Sequence, residues 1–218
     1  MKSTNTESKK VAEILLDIGA VLFSRNRPFK FDSGILSPVY VDNRILISHQ
    51  KERKVIIGEL INLIKQYFPK VDIIAGTATA GIPHAAWVAD RLDLPMVYVR
   101  SAPKDHGRGN QVEGQIKRGQ KAVIIEDLVS TGSSSIKVAQ ALKKLGTIVI
   151  GVVAIYSHNL ASSKHNFQKA KLPIVNITGT LEVARVAQEK GYLREEQIAI
   201  IKQWIADPKN WGKKMGFE

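Results

Sequence analysis

The sequence predicts an α/β fold, a parallel sheet flanked by helices with a small hood near its N-terminal end. Two observations predict it. Short β-branched runs at 71–75, 96–99, 122–125 and 148–155 alternate with helical segments at 82–91 and 133–145, the rhythm of strands joined by helical crossovers. No internal repeat, low-complexity tract or Pro/Gly/Ser linker divides the 218 residues, so one core domain accounts for the chain.

The elements follow in order. Val11, Ile14, Leu15, Ile18 and Leu22 recur at helical spacing, and residues 56–68 repeat it through Leu60, Leu63 and Ile64. Between these two helices, residues 29–42 set Gly34 and Pro38 among alternating apolar positions, Phe29 and Phe31, then Val39 and Val41. That is the pattern of a short hairpin, and it forms the hood. After the strand at 148–155, residues 173–204 read as one more strand and two helices, the second with Ile198, Ile201 and Ile205 on one side. The single domain 1–218 thus comprises a hood of about residues 1–45, joined by the C-terminal segment, and a core of about residues 46–180. In such sheets ligands bind beyond the carboxyl ends of the strands. The loops after Ala75, Val99 and Ile125 are therefore expected to meet at one place.

Composition narrows the class. With 44% apolar and 24% charged residues the chain is globular, and at this length it buries roughly 70% of its unfolded surface. The absence of cysteine excludes a disulfide framework, a thiol nucleophile and a thiolate metal site. The balance of 32 Lys plus Arg against 20 Asp plus Glu gives +12, which favours polyanionic partners, either nucleic acid or small multiply phosphorylated substrates. Part of that excess sits at the ends, at Lys2, Lys9, Lys10, Lys209, Lys213 and Lys214. The first ten residues are polar, without the apolar core of a secretory signal, and no run approaches membrane-spanning length. A cytoplasmic protein without a membrane partner is expected.

The segment that carries chemistry begins with Glu126 and Asp127 at the end of a buried strand. Leu128, Val129, Ser130, Thr131, Gly132, Ser133 and Ser134 follow, and then a helix with Ile136, Ala139, Leu142 and Leu145 inward and Gly146 as its stop. Free amides at the start of that helix, with the hydroxyls of Ser130, Thr131, Ser133 and Ser134, make a cradle for a phosphate. Gly132 lets the backbone approach closely. Two adjacent carboxylates can accept hydrogen bonds from neighbouring hydroxyls, as on a ribose, and stabilise positive charge developing on the sugar. A Ser/Thr/Gly stretch after a strand also makes an ordinary capped turn. The acids distinguish this one, because a carboxylate pair at a strand's end costs stability unless a ligand or cation uses it.

The run from Glu126 to Ser134 resembles the phosphoribosyl pyrophosphate loop of the type I phosphoribosyltransferases, two acids followed by a Thr-Gly phosphate turn. Competing phosphate motifs fail. Gly76-Thr77-Ala78-Thr79-Ala80-Gly81 has P-loop glycine spacing but is followed by Ile82-Pro83 where Lys-Ser/Thr is required, and Gly107-Arg108-Gly109 lacks the third glycine of a dinucleotide fingerprint. The run Arg100-Ser101-Ala102-Pro103-Lys104-Asp105-His106-Gly107-Arg108-Gly109-Asn110 has too little apolar content to pack and is expected to form a mobile flap. Arg100, Lys104 and His106 place cationic donors over a departing diphosphate. This run resembles the catalytic loop of the orotate phosphoribosyltransferase family, where it reaches over the active site of the partner subunit in a homodimer.

Two further stretches extend the resemblance. Residues 31–44, with Ser33-Gly34 and Ser37-Pro38, are similar to the same family's hood, which makes Tyr40 the residue that stacks on orotate. Residues 75–84 are similar to its pyrophosphate-side loop and bring Thr77 and Thr79 to the substrate. This chain departs from the family in three places. Asp32 stands where many members have lysine, Ser101 where many have a second basic residue, and Tyr156-Ser157-His158 offers no arginine for the orotate carboxylate. Arg44 and His158 are the remaining candidates for that carboxylate.

The resemblance implies transfer of the phosphoribosyl group from phosphoribosyl pyrophosphate to orotate, giving orotidine 5′-monophosphate and pyrophosphate in pyrimidine biosynthesis. The cofactor is expected to be Mg²⁺, carried by substrate oxygens rather than by a protein cage. The five histidines show no metal-ligand spacing. Two rival readings remain. One is a purine-base phosphoribosyltransferase, which shares the phosphate loop but lacks this hood and flap. The other is a phosphoribosyl pyrophosphate-sensing regulator that binds nucleic acid through its basic surface, whereas the enzyme reading calls for no nucleic acid.

Overall fold

The computed structural model describes residues 5–24, 27–31, 34–102 and 111–217. Helix α1 (Asn5–Asp17) buries Val11, Ala12 and Leu15. Four short strands follow: β1 (Val21–Phe23), β2 (Phe29–Lys30), β3 (Leu36–Ser37) and β4 (Val39–Val41). The expected hairpin is two antiparallel ribbons, because β2 pairs locally with β3 while β4 returns to β1. That pairing also ends α1 at Asp17, short of the helical spacing that runs on to Leu22. A 3-10 turn (Asn43–Ile47) leads into α2 (Gln50–Tyr67), whose buried face is Ile56, Ile57, Leu60, Leu63 and Ile64.

The core then alternates β5 (Ile73–Thr77), α3 (Gly81–Leu92), β6 (Met96–Val99), β7 (Val112–Glu113), β8 (Lys121–Val129), α4 (Ser133–Lys144), β9 (Ile148–Ser157), α5 (Ala161–Lys169), β10 (Ile174–Gly179) and α6 (Thr180–Glu189). Six strands form one sheet in the order β10-β9-β8-β5-β6-β7. All pairings are parallel except that of β7 with β6. The alternation of side chains divides the interior into two layers. Ile74, Val123, Ile125, Val153 and Ile155 share one with buried residues of α1, α2, α3 and α6, while Ile73, Ala75, Ile124, Val152 and Ala154 pack under α4 and Phe167 of α5.

The chain closes with α7 (Glu195–Ala206) and α8 (Pro208–Lys214). Trp204, 1% exposed, donates its indole N–H to the Leu36 carbonyl at 3.0 Å, which fastens α7 to the hood. The sheet's carboxyl edge therefore meets the hood at one end of the molecule. Among the described residues no helix is long and apolar enough to cross a membrane.

Candidate active site

Strand β8 runs further than its apolar pattern suggests. It continues through Glu126, Asp127, Leu128 and Val129, because β9 pairs with it as far as Val129↔Ser157. On its other edge the pairing with β5 stops at Ile125. Beyond that point one side of β8 is open, and there the acids stand. Leu128 and Val129 are thus strand residues rather than part of the turn, and the Val129 side chain is 1% exposed, in the core layer under α4.

Glu126 is 5% exposed, and its carboxylate accepts a hydrogen bond of 2.9 Å from the Ser135 hydroxyl. Burial, then the charge of Asp127, push its pKa up to about 8. Burial raises the Asp127 pKa too, against the opposing hydrogen bond from the Leu128 amide. Burial thus biases both carboxyls towards their protonated forms. The Thr77 hydroxyl, at the end of β5, lies close enough to lower the Glu126 pKa, yet it forms no hydrogen bond of proper geometry among the described residues.

Immediately after β8 the chain turns into α4. Gly132 is the N-cap residue at φ 78°, a conformation that glycine adopts freely. A Cβ there would lie 2.4 Å from the Phe167 ring. No side chain caps the helix, so its first amides are left for a ligand. The turn is held from beneath, where the Asn166 amide donates to the Thr131 carbonyl at 3.0 Å. The Thr131 hydroxyl donates to Ser133 Oγ at 3.2 Å. Ser133 and Ser134 are exposed and Ser130 is half-buried. Across the site Gly81 starts α3, and a Cβ there would lie 2.7 Å from the Ile125 carbonyl, so glycine is what allows α3 to press against β8.

Beside the turn, a recess is lined by Thr77, Ala78, Arg100, Ser101, Ser134 and Lys137 among others. Arg100 N–H donates to the Gln111 carbonyl and the Gln111 side-chain amide donates back to the Arg100 carbonyl, at 2.9 and 3.0 Å. Its Nε is buried with no partner among the described residues. Thr79 is exposed in the turn between β5 and α3. Lys104, His106 and Asp32 lie outside the described residues.

The hood supplies the opposite wall. Tyr40 is half-buried, with its ring 5.4 Å from that of Phe29. Asp42 and Arg44 form a two-point ion pair, Nε to Oδ1 at 2.6 Å and Nη2 to Oδ2 at 2.8 Å. Between them Asn43, 1% exposed, donates from Nδ2 to the Asp127 carbonyl at 2.7 Å. His158 is 1% exposed, caged by Tyr156, Trp204 and Phe31, and bonded through Nδ1 to the Thr180 hydroxyl at 2.9 Å. Burial lowers its pKa to about 4, so it is neutral at pH 7. Arg44 is the charged one of the two carboxylate candidates.

The structure brings Glu126, Asp127, the 130–134 turn, Thr77 and Arg100 to one edge of the sheet. Asn43, Ser135 and Lys137 belong there too and carried no signal of their own in the sequence. Two depend on contacts with residues distant in the chain, and Ser135 was one more serine in a run of three.

A parallel sheet with an acid pair, an open amide turn and a cationic recess at its carboxyl edge defines an α/β domain built to hold a sugar phosphate. The phosphoribosyl transferase domain family matches residues 45–181. The chain is 50% identical over 205 residues to an orotate phosphoribosyltransferase of Listeria monocytogenes, covering 94% of this chain and 98% of that one. It is also 50% identical over 206 residues to one of Enterococcus faecalis, with the same coverage of each. Among solved structures, orotate phosphoribosyltransferase from Aeropyrum pernix superposes with a TM-score of 0.73 at 28% identity, covering 84% of this chain and 99% of that one. UMP synthase of Leishmania donovani superposes at 0.77 and 25% identity, over 91% of this chain and 42% of that larger one. The chain belongs to the phosphoribosyltransferases and, within them, to the orotate phosphoribosyltransferase family.

Proposed function

We propose that this chain transfers the 5-phosphoribosyl group of phosphoribosyl pyrophosphate to N1 of orotate, forming orotidine 5′-monophosphate and pyrophosphate. The observation that carries the sugar-phosphate half is the adjacent pair of buried Glu126 and half-buried Asp127, a short turn before a helix start with uncapped amides. The choice of orotate rests on the relatives that share half their residues with nearly the whole chain.

In the reaction the bond between C1 of the ribose and a diphosphate oxygen breaks, a bond from orotate N1 to C1 forms on the opposite face, and the proton of N1 leaves to the diphosphate or to solvent. Positive charge gathers on the sugar and negative charge on the diphosphate. Glu126 and Asp127 accept hydrogen bonds from the ribose hydroxyls and, once ionised, answer the first charge. Arg100 answers the second from the recess. The amides of Gly132 to Ser134, with the hydroxyls of Thr131 and Ser133, hold the 5′-phosphate. Tyr40 offers a face for the orotate ring, and Arg44 offers the cation for its carboxylate.

Mg²⁺ belongs to this reading as a counter-ion that, when bound, would supply positive charge to the diphosphate. Among the described residues no three His, Asp or Glu side chains cluster to hold a metal, and an ion bound chiefly by diphosphate oxygens needs no such cage. In the same reading Lys104 and His106 add positive charge for the departing diphosphate. A homodimer with each flap over its neighbour's site, working in the cytoplasm, is part of the same reading.

Mixing the protein with Mg²⁺, phosphoribosyl pyrophosphate and orotate tests it through the loss of orotate absorbance. Parallel incubations with hypoxanthine and adenine separate this activity from a purine-base transferase. Consumption of either purine without consumption of orotate contradicts the proposal.

A further inference from the structure

We infer that Asn43 is a positioning residue that sets the Asp127 peptide, and hence the carboxylate that receives the ribose, from the hood. The inference rests on the functional reading above for the identity of the ligand but not for the geometry. Strand β8 loses its β5 neighbour after Ile125, so the main chain at Asp127 has no strand partner on that edge. A strand carbonyl left inside the protein without a donor is costly. The Asn43 side-chain amide supplies the donor at 2.7 Å, across 84 positions of sequence. Its side chain is 1% exposed, so water does not compete for the bond.

The neighbours of Asn43 make the contact stiff. Asp42 caps the 3-10 turn by accepting from the Arg44 amide at 3.1 Å, and the Asp42 amide donates to the Ala20 carbonyl at 2.8 Å. Tyr40, the base-stacking candidate, is three residues upstream on β4. The wall that faces the base and the carboxylate that faces the ribose are therefore joined by three residues and one side-chain hydrogen bond. The remaining acceptor, Asn43 Oδ1, is buried with no partner among the described residues.

The test compares wild type, Asn43→Ala and Asn43→Ser. Each is melted to establish a cooperative fold above the assay temperature. The dissociation constant of Mg²⁺·phosphoribosyl pyrophosphate is then measured by calorimetry without orotate, and KM and kcat are measured with it. Alanine is expected to weaken Mg²⁺·phosphoribosyl pyrophosphate binding roughly tenfold or more, because a displaced carboxylate loses its ribose contacts. Serine, which keeps a donor, is expected to lose less. A purely structural role lowers the melting temperature and the active fraction but leaves the dissociation constant and KM of the folded enzyme unchanged. An alanine variant with wild-type affinity overturns the inference, as does a serine variant that loses as much as alanine. If alanine does not fold, the serine variant decides alone, by whether its affinity falls. A wild type that binds phosphoribosyl pyrophosphate but leaves orotate unchanged sinks the functional reading and spares the role of Asn43.

Discussion

The Ser135 hydroxyl, one turn into α4, donates a 2.9 Å hydrogen bond to the carboxylate of Glu126, nine residues earlier at the carboxyl end of β8. The helix whose first amides no side chain caps is thereby tied to one of the two acids proposed to receive the ribose. The Ser135 bond also opposes the upward push of burial on the Glu126 pKa. Replacing Ser135 with alanine is therefore expected to raise that pKa above its present value of about 8. Carboxyl carbon chemical shifts followed through a pH titration read the change, and an unmoved midpoint contradicts it.

The same acid makes stability depend on pH. Its folded pKa, about 8, lies above the ordinary carboxyl value of 4.5, so the folded protein keeps a proton that the unfolded chain releases. The stabilisation is complete below pH 4.5 and is lost as pH rises through 8. His84 and His158 act the other way. Burial lowers both pKa values from 6.5 to about 4, so their contribution is complete above 6.5 and is lost as pH falls through 4. Because the two effects overlap, the informative quantity is a difference between proteins. Glu126→Gln is expected to gain melting temperature over wild type progressively between pH 5 and 8, and a constant offset across that range contradicts the assignment.

Binding should carry a proton signature. A ribose that donates to both carboxyls, and positive charge developing on the sugar, favour their ionised forms, whereas burial in the free site favours the protonated ones. Mg²⁺·phosphoribosyl pyrophosphate is therefore expected to release protons on binding near pH 7. Calorimetry in buffers of differing ionisation enthalpy measures it. In Glu126→Gln the release should largely disappear.

Gly132 is constrained by its positive φ and by the Phe167 ring. Gly132→Ala is expected to destabilise the fold by about 1–3 kcal/mol and to weaken phosphoribosyl pyrophosphate binding. Thermal denaturation and calorimetry report the two effects separately. Retention of wild-type affinity contradicts the role given to this turn.

Lys137 shares the recess with Arg100, and its side chain is exposed. Lys137→Gln should leave the melting temperature unchanged while raising KM for phosphoribosyl pyrophosphate about three- to tenfold, more at low salt than at high. A salt-independent KM equal to wild type removes it from the site.

Much of this was legible in the sequence for physical reasons. The β-branched runs lie at β5, β8 and β9, which are buried on both faces, and at β6, where buried and half-buried positions alternate, and the glycine and serines after Asp127 mark a helix start. What stayed hidden depends on distant partners. Strand β7 is two residues long and exists only through its pairing with β6. Helix α5 is largely polar and buries only Ser163 and Phe167, so its apolar periodicity is weak, yet it supports the phosphate turn through Asn166 and Phe167. Asn43 looks like any polar residue after a strand until the fold sets it against Asp127. The extension of β8 to Val129 was also unreadable, since the acids interrupt the apolar run and only pairing with β9 sustains the strand.

The most direct test of the account is a crystal soaked with Mg²⁺ and phosphoribosyl pyrophosphate. The 5′-phosphate is expected on the amides between Gly132 and Ser134, the ribose hydroxyls within hydrogen-bond distance of Glu126 and Asp127, and the diphosphate beside Arg100. Density for the sugar phosphate at any other place, with the acid pair and the turn left free, contradicts it.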